Sequence, residues 1–319
     1  MKHNTAGISV VVPFLNEEEG ILGFCSVFEQ YAASAQFPLE LVFVDDGSSD
    51  RTCEHIQSYS FKACHSVKLV KLSKNYGSHA AIRAGLQKAS FDICTWMGSD
   101  LQEPIGMLEQ SYQLLSDGCD AVYIEKKSIA IGKTSRFFSR AYSYLMQKYA
   151  VKNYSSGGIS TIVFGKKIKD LINENVEGNS SIMLQIMDMG FSYKVLSLDF
   201  HERATGVSKW TFSKKIKLFI DSFVAFSFAP IRLVSFIGVL FFLFGFAMGI
   251  VTLVNRFSNP DVPMGYSTLV SIMSIGFGIT NISLGIIAEY LWRTYDAARR
   301  RPVFTIEDYI DIKPLADSK

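Results

Sequence analysis

Short β-branched runs, each ending on an acidic or glycine-bearing turn and each followed by a stretch with helical spacing, recur along the first 130 residues. Ile8 to Val12 is the first such run; Pro13 stops it, and Asn16-Glu17-Glu18-Glu19 opens an amphipathic helix from about Glu18 to Ala33. Leu39 to Val44 is the second, closing on Asp45-Asp46-Gly47-Ser48-Ser49-Asp50 before a helix from about Arg51 to Ser58. Val67 to Leu72 leads through Ser73-Lys74-Asn75-Tyr76-Gly77 into a helix from about Ser78 to Ala89. Phe91 to Thr95 closes on Trp96-Met97-Gly98-Ser99-Asp100-Leu101-Gln102-Glu103-Pro104, and a helix from about Ile105 to Ser116 precedes the strand Ala121 to Ile124. Strands alternating with helices require right-handed crossovers and a mainly parallel sheet covered on both faces. The fold class expected is therefore α/β, a nucleotide-type domain with its acidic turns along one edge.

The pattern changes in the second half. Thr134 to Lys148 is basic and aromatic, and reads equally as a helix lying on a membrane or as an ordinary surface helix. Ile159 to Phe164 and Val195 to Phe200 read as strands, with a helix around Ser181 to Met189 between them. Ser213 to Ala229 starts with Lys214, Lys215 and Lys217 and continues with phenylalanines, which suits an interfacial helix. Leu233 to Val254 and Val262 to Ala288 have no charged residue, and each exceeds the roughly 18 apolar residues that mark a spanning helix. Two transmembrane helices are expected. Lysines and arginines precede the first span and follow the second, which puts both termini and the α/β domain on the cytoplasmic side. The expected division is a cytoplasmic domain over 1–212, an interfacial helix over 213–230, a two-helix membrane region over 231–290 and a cytoplasmic tail over 291–319.

Composition alters this picture little. With 32 Lys and Arg against 30 Asp and Glu, the net charge of +2 leaves no ground for a nucleic-acid partner. Five cysteines without a C-x-x-C spacing indicate neither a disulfide framework nor a zinc site.

Candidate chemistry gathers where the fourth strand ends. Ligands of open α/β sheets bind beyond the carboxyl ends of the strands, so Asp100 and Gln102 stand where oxygen ligands could hold a hard cation and a diphosphate. The competing explanation is that Asp100 caps the following helix. The pair Asp45-Asp46 exceeds what one cap needs.

Taken together, Val11-Val12-Pro13-Phe14-Leu15-Asn16-Glu17, Val44 to Asp50 and Ser99-Asp100-Leu101-Gln102-Glu103-Pro104 resemble the successive nucleotide-sugar motifs of family 2 glycosyltransferases of the GT-A fold. With Arg203, Gly206, Ser208, Lys209 and the two apolar runs, the nearer likeness is to polyprenyl-phosphate glycosyltransferases, such as bactoprenol glucosyltransferases and dolichyl-phosphate mannose synthases. The resemblance implies an inverting transfer of sugar from a nucleotide-sugar donor to a polyprenyl phosphate lipid, with a divalent cation, Mg²⁺ or Mn²⁺, as cofactor. It implies an integral protein of the bacterial inner membrane, with a flippase and further copies of the chain as partner classes. By the same carry-over Pro13, Leu15, Glu17, Val44, Asp46 and Ser99 line the nucleotide, and Asp100 and Gln102 take the metal and diphosphate. Lys126 approaches the sugar donor, and Arg203 and Lys209 belong to a loop that closes over phosphates, where cations suit a departing diphosphate.

Two departures from the family's pattern stand out. Gly98 replaces the first acid of the usual Asp-x-Asp, and Ile159-Ser160-Thr161-Ile162 replaces a Gly-Asp-Phe-Arg pattern. Two further readings stay open on sequence alone: a transferase to a sugar hydroxyl in polysaccharide synthesis, and a catalytically silent scaffold that binds sugar nucleotide or lipid.

Overall fold

The structure is a computed structural model that describes residues 7–127, 159–176, 181–200, parts of 234–250, 266–299 and 301–313. By their contacts the residues fall into two compact units, Met1–Phe219 with Pro302–Lys319, and Ile220–Arg301.

The first unit is built on an eight-stranded sheet. Its strands are β1 (Ile8–Phe14), β2 (Leu39–Asp45), β3 (Ser66–Leu72), β4 (Ile93–Trp96), β5 (Ala121–Lys126), β6 (Ile159–Phe164), β7 (Tyr193–Leu198) and β8 (Ile306–Lys313). They lie side by side in the order β7-β5-β6-β4-β1-β2-β3-β8. β1 pairs in parallel with both β2 and β4, β2 with β3, and β5 with β7, while β6 and β8 run against their neighbours. The mainly parallel α/β architecture expected from the alternation is what is observed.

The strands form because their apolar residues are buried on both faces, as parallel strands covered by helices require. Val10, Val11 and Val12 are fully buried, as are Leu41, Val42, Phe43 and Val44. Each such side chain is worth about 1.5–3 kcal/mol against exposure. One face carries α1 (Ile21–Ser34), α2 (Thr52–Ser58) and α4 (Met107–Ser116), with Phe24 edge-on to Phe43 and stacked on Phe28. The other face carries α3 (Ser78–Lys88), brought so close by Gly85 that a β-carbon there would stand 2.3 Å from Val11 Cγ1.

Two elements extend the sequence reading. The helix Lys166–Glu174 was not foreseen; its buried Ile168 and Ile172 recur at helical spacing between lysines. β8 lies in the segment assigned to a tail and forms the edge strand beside β3. The chain thus returns to the sheet after the second unit.

Among the described residues of the second unit, one helix is long and apolar enough to cross a membrane: within Tyr266–Arg299, the segment Ile275–Asp296 is 22 residues. A shorter apolar helix, Phe236–Gly245, lies inside the first of the two apolar runs. Glu289 and Arg293, one turn apart, pair at 2.9 Å as their spacing predicts. The helices expected over 134–148 and 213–229 lie outside the described residues.

Candidate active site

The chain lays β1, β2 and β3 to one side and then crosses back to place β4 on the other side of β1. That reversal opens a crevice at the carboxyl ends of β1 and β4, the usual ligand position in such sheets. The loops there are 15–20 after β1 and 97–106 after β4, and Met97 N–H still donates to Val11 C=O across the junction at 3.0 Å.

The loop after β4 turns sharply. Leu101 has φ +52°, one of two non-glycine residues with positive φ among those described, the other being Asn16 in the loop after β1. The turn folds the side chains of Asp100 and Glu103 back over Gly98. Asp100 Oδ1 accepts from Gln102 N–H at 3.5 Å, Glu103 Oε2 from Gly98 N–H at 3.4 Å, and Glu103 Oε1 from the Ser160 hydroxyl at 3.1 Å. A β-carbon at position 98 would stand 2.8 Å from Asp100 Oδ1 and 3.5 Å from Glu103 Oε2. Burial, with the Asp100 charge adding to it, pushes the Glu103 carboxyl above the usual carboxylate range.

The loop after β2 divides its acids by task. Asp45 Oδ1 accepts from Ser48 N–H at 2.8 Å, which makes the turn, and Asp50 Oδ1 accepts from Thr52 N–H at 3.1 Å, which caps α2. Asp46 does neither. Its two oxygens accept from Tyr76 and Gly77 N–H at 2.7 and 2.9 Å, so the carboxylate ties the loop after β3 to the end of β2. Gly47, at φ +84°, allows that approach, since a β-carbon there would lie 2.9 Å from Asn75 N. Burial raises the Asp46 pKa against the lowering effect of these two amides. Beside the crevice, Asn16 N–H donates to Ser48 Oγ and Glu17 N–H to Thr52 Oγ1, at 2.9 and 3.0 Å, which locks the loops after β1 and β2 together.

The structure therefore brings Pro13, Leu15, Glu17, Asp46, Ser99, Asp100 and Gln102 to one edge of the sheet, and Lys126 reaches the same edge at the end of β5. The Lys126 ammonium lies over the Phe200 ring, 5.5 Å from its centre. Val44 is set apart: it is fully buried, its Cγ2 against α3 at Gly85. Arg203 and Lys209 lie outside the described residues. Glu103 and Ser160 were missed as site residues. Glu103 follows Gln102 directly, and Ser160 stands where an acid was expected, so the signal was their adjacency to the departures already noted.

For a divalent cation the donor chemistry fits: Asp100, Gln102 and Glu103 are hard oxygen donors, and the space a β-carbon at 98 would fill is bordered by two carboxylates. Among the described residues no group of three or more His, Cys, Asp and Glu side chains is gathered for a metal. A cation here would complete its shell with the amide of Gln102, donor phosphates and water.

Residues 9–180 match the sequence model of Glycosyl transferase family 2. The chain is 28% identical over 318 residues to the undecaprenyl-phosphate 4-deoxy-4-formamido-L-arabinose transferase of Pectobacterium carotovorum, covering 98% of this chain and 96% of the relative. It is 26% identical over 310 residues to the enzyme of the same name from Proteus mirabilis, covering 96% of this chain and 94% of the relative. Among solved structures it is similar to the mannosyltransferase PcManGT of Pyrobaculum calidifontis, with 16% identity, coverage of 92% and 90%, and a TM-score of 0.47.

Proposed function

The chain belongs to glycosyl transferase family 2, and from that premise we propose that it moves a sugar from a nucleoside-diphosphate donor onto the phosphate of a polyprenyl phosphate at a membrane surface. The observation that carries this reading is the presence, in one chain, of a carboxylate loop at the sheet's switch point and a 22-residue apolar helix. The two relatives named as undecaprenyl-phosphate transferases support it, since their likeness runs through both parts.

A sugar hydroxyl must lose a proton as it attacks, whereas a phosphate monoester carries about −1.5 to −2 charges near neutral pH. No general base is then needed, which agrees with Ser160 standing where the family's pattern has an acid. An acceptor phosphate oxygen forms a bond to the anomeric carbon while the bond from that carbon to the donor diphosphate breaks; the electron pair leaves with the nucleoside diphosphate, and configuration inverts. Asp100 and Gln102 would hold a divalent cation, Mg²⁺ or Mn²⁺, which when bound neutralises charge on the leaving diphosphate. Asp46 positions the loop after β3 at the nucleotide end, and Lys126, Arg203 and Lys209 supply positive charge to the donor and acceptor phosphates. Two membrane spans, both termini cytoplasmic and the division at 212, 230 and 290 belong to the same reading.

The test is incubation of the purified protein with Mg²⁺ or Mn²⁺, a panel of UDP- and GDP-sugars, and either a short polyprenyl phosphate or a free oligosaccharide. A glycolipid with inverted anomeric configuration is expected. An elongated glycan, a glycolipid with retained configuration, or no product from any donor overturns the proposal.

A further inference from the structure

We infer that Glu103 is the second carboxylate of the cation site, supplying from the far side of the turn the acid that position 98 lacks. The inference rests on the reading of Asp100 and Gln102 as cation ligands.

Three observations carry it. Asp100 Oδ1 and Glu103 Oε2 both lie within 3.5 Å of the point where a β-carbon at 98 would stand. The glycine is what gives them room, because any side chain built there meets Asp100 Oδ1 at 2.8 Å. Next, Glu103 is held to face that space: Ser160 Oγ donates to Oε1 and Gly98 N–H to Oε2, so each oxygen has one neutral donor and keeps lone-pair capacity. Finally, no Lys or Arg forms an ion pair with Glu103 among the described residues. Two half-buried carboxylates facing one space repel each other, and a divalent cation between them replaces that repulsion with attraction. Gly98 and Glu103 are thus read as one exchange: the acid leaves one side of the turn and arrives from the other.

The experiment is direct Mn²⁺ binding to the purified full-length protein, followed by the electron paramagnetic resonance signal of free Mn²⁺, alone and with UDP or GDP in separate runs. It needs no turnover. Glu103→Gln keeps the side chain's shape and removes the charge, its amide able to accept from Gly98 N–H and to donate to the Ser160 hydroxyl. It should weaken Mn²⁺ binding by about 10–100-fold, a range typical of lost support at a metal site. Glu103→Asp, which keeps the charge, should bind Mn²⁺ more tightly than Glu103→Gln, which a merely structural role for Glu103 would not require. Unchanged Mn²⁺ affinity in Glu103→Gln, with binding lost in Asp100→Ala, overturns the inference and leaves the Asp100 site standing. Glu103→Asp binding Mn²⁺ no more tightly than Glu103→Gln also overturns it. If Asp100→Ala and the unmodified protein bind Mn²⁺ alike, the site reading falls and this inference with it.

Discussion

Both ends of the sheet in the first unit bury carboxylates, and they treat them in opposite ways. At the amino end Glu40 is fully buried and neutralised: Lys68 Nζ lies 2.8 Å from Oε1, while Ser90 N–H and the Ser9 hydroxyl donate to Oε2. Lys68 in turn donates to Lys88 C=O and Ser90 Oγ, so the network closes on itself and stitches β1, β2, β3 and the approach to β4. At the carboxyl end Asp46 and Glu103 accept only from amides and a hydroxyl, and no Lys or Arg pairs with them among the described residues. An ion pair sealed in the core has no access to a ligand. Hydrogen-bonded but uncompensated carboxylates keep a negative field that a cation can answer, which is the difference between an acid that holds a fold and one that serves a site.

The largest effect expected from breaking this contrast is on stability at the amino end. Glu40→Ala leaves Lys68 charged and enclosed without its partner, and should cost about 3–5 kcal/mol in denaturant unfolding. Replacing both residues by methionine should recover most of that loss. Transfer per folded molecule should stay unchanged in both variants; a specific loss of turnover would place Glu40 in the site and erase the distinction drawn here.

The reverse outcome is expected at the carboxyl end. Asp100→Ala should reduce sugar transfer by about 10²–10³-fold, the range seen when one stabilising group is removed from developing charge. Its unfolding midpoint should move little, since Asp100 is partly exposed on a loop. Comparable transfer by Asp100→Ala and the unmodified protein would remove the carboxyl end from the chemistry.

A third contrast is in pH response. His79, in the first turn of α3 just past the loop that Asp46 secures, has its pKa lowered to about 4 by burial, with the Arg83 charge adding to it. Its ordinary value is near 6.5, so between pH 6.5 and 4 the unfolded chain takes up a proton that the folded one refuses. Stability should therefore fall as pH drops through that window and level off below it, by on the order of 3 kcal/mol from this group. His79→Gln should flatten the slope of the unfolding midpoint between pH 6.5 and 4. An unaltered slope would mean that His79 does not titrate as its burial requires.

Much of this contrast was legible in the chain. Val10 to Val12 and Leu41 to Val44 announce buried parallel strands by their continuous apolar character, and the acidic turns after them announce an active edge. What local pattern does not carry is partnership. Asp46 reads as a nucleotide contact, and nothing local shows that its oxygens also accept from Tyr76 and Gly77, thirty residues on. Val44 has the same type and setting as a pocket residue, yet α3 covers it. β8 escaped notice because its alternation of acids with Ile306, Tyr309, Ile310 and Ile312 follows an apolar segment and finds its partner, β3, more than 200 residues back. Glu103 was passed over because a glutamate ahead of Pro104 looks like a helix-entry residue, and only the fold brings Ser160 and Gly98 against it.

The smallest effect expected concerns how the carboxyl end is held in shape. Its loops contain both non-glycine residues with positive φ among those described, Asn16 and Leu101, each at +52°. Asparagine visits this region readily, whereas for leucine it costs about 1–2 kcal/mol. Leu101 offsets that cost by packing, half-buried, against the core beneath the loop. Leu101→Ala keeps the strain and loses the packing; Leu101→Gly loses both. The glycine variant should therefore be the more stable of the two by about 1 kcal/mol, even though glycine weakens most positions relative to alanine. Measured by denaturant unfolding, that ordering identifies stored strain at the turn that carries Asp100 and Gln102. Alanine equal to or above glycine would show that the turn is relaxed, and that the loop after β4 differs from the amino end in charge alone. Transfer activity separates the contributions further: if strain serves to aim Asp100, the glycine variant should be the slower of the two despite its greater stability.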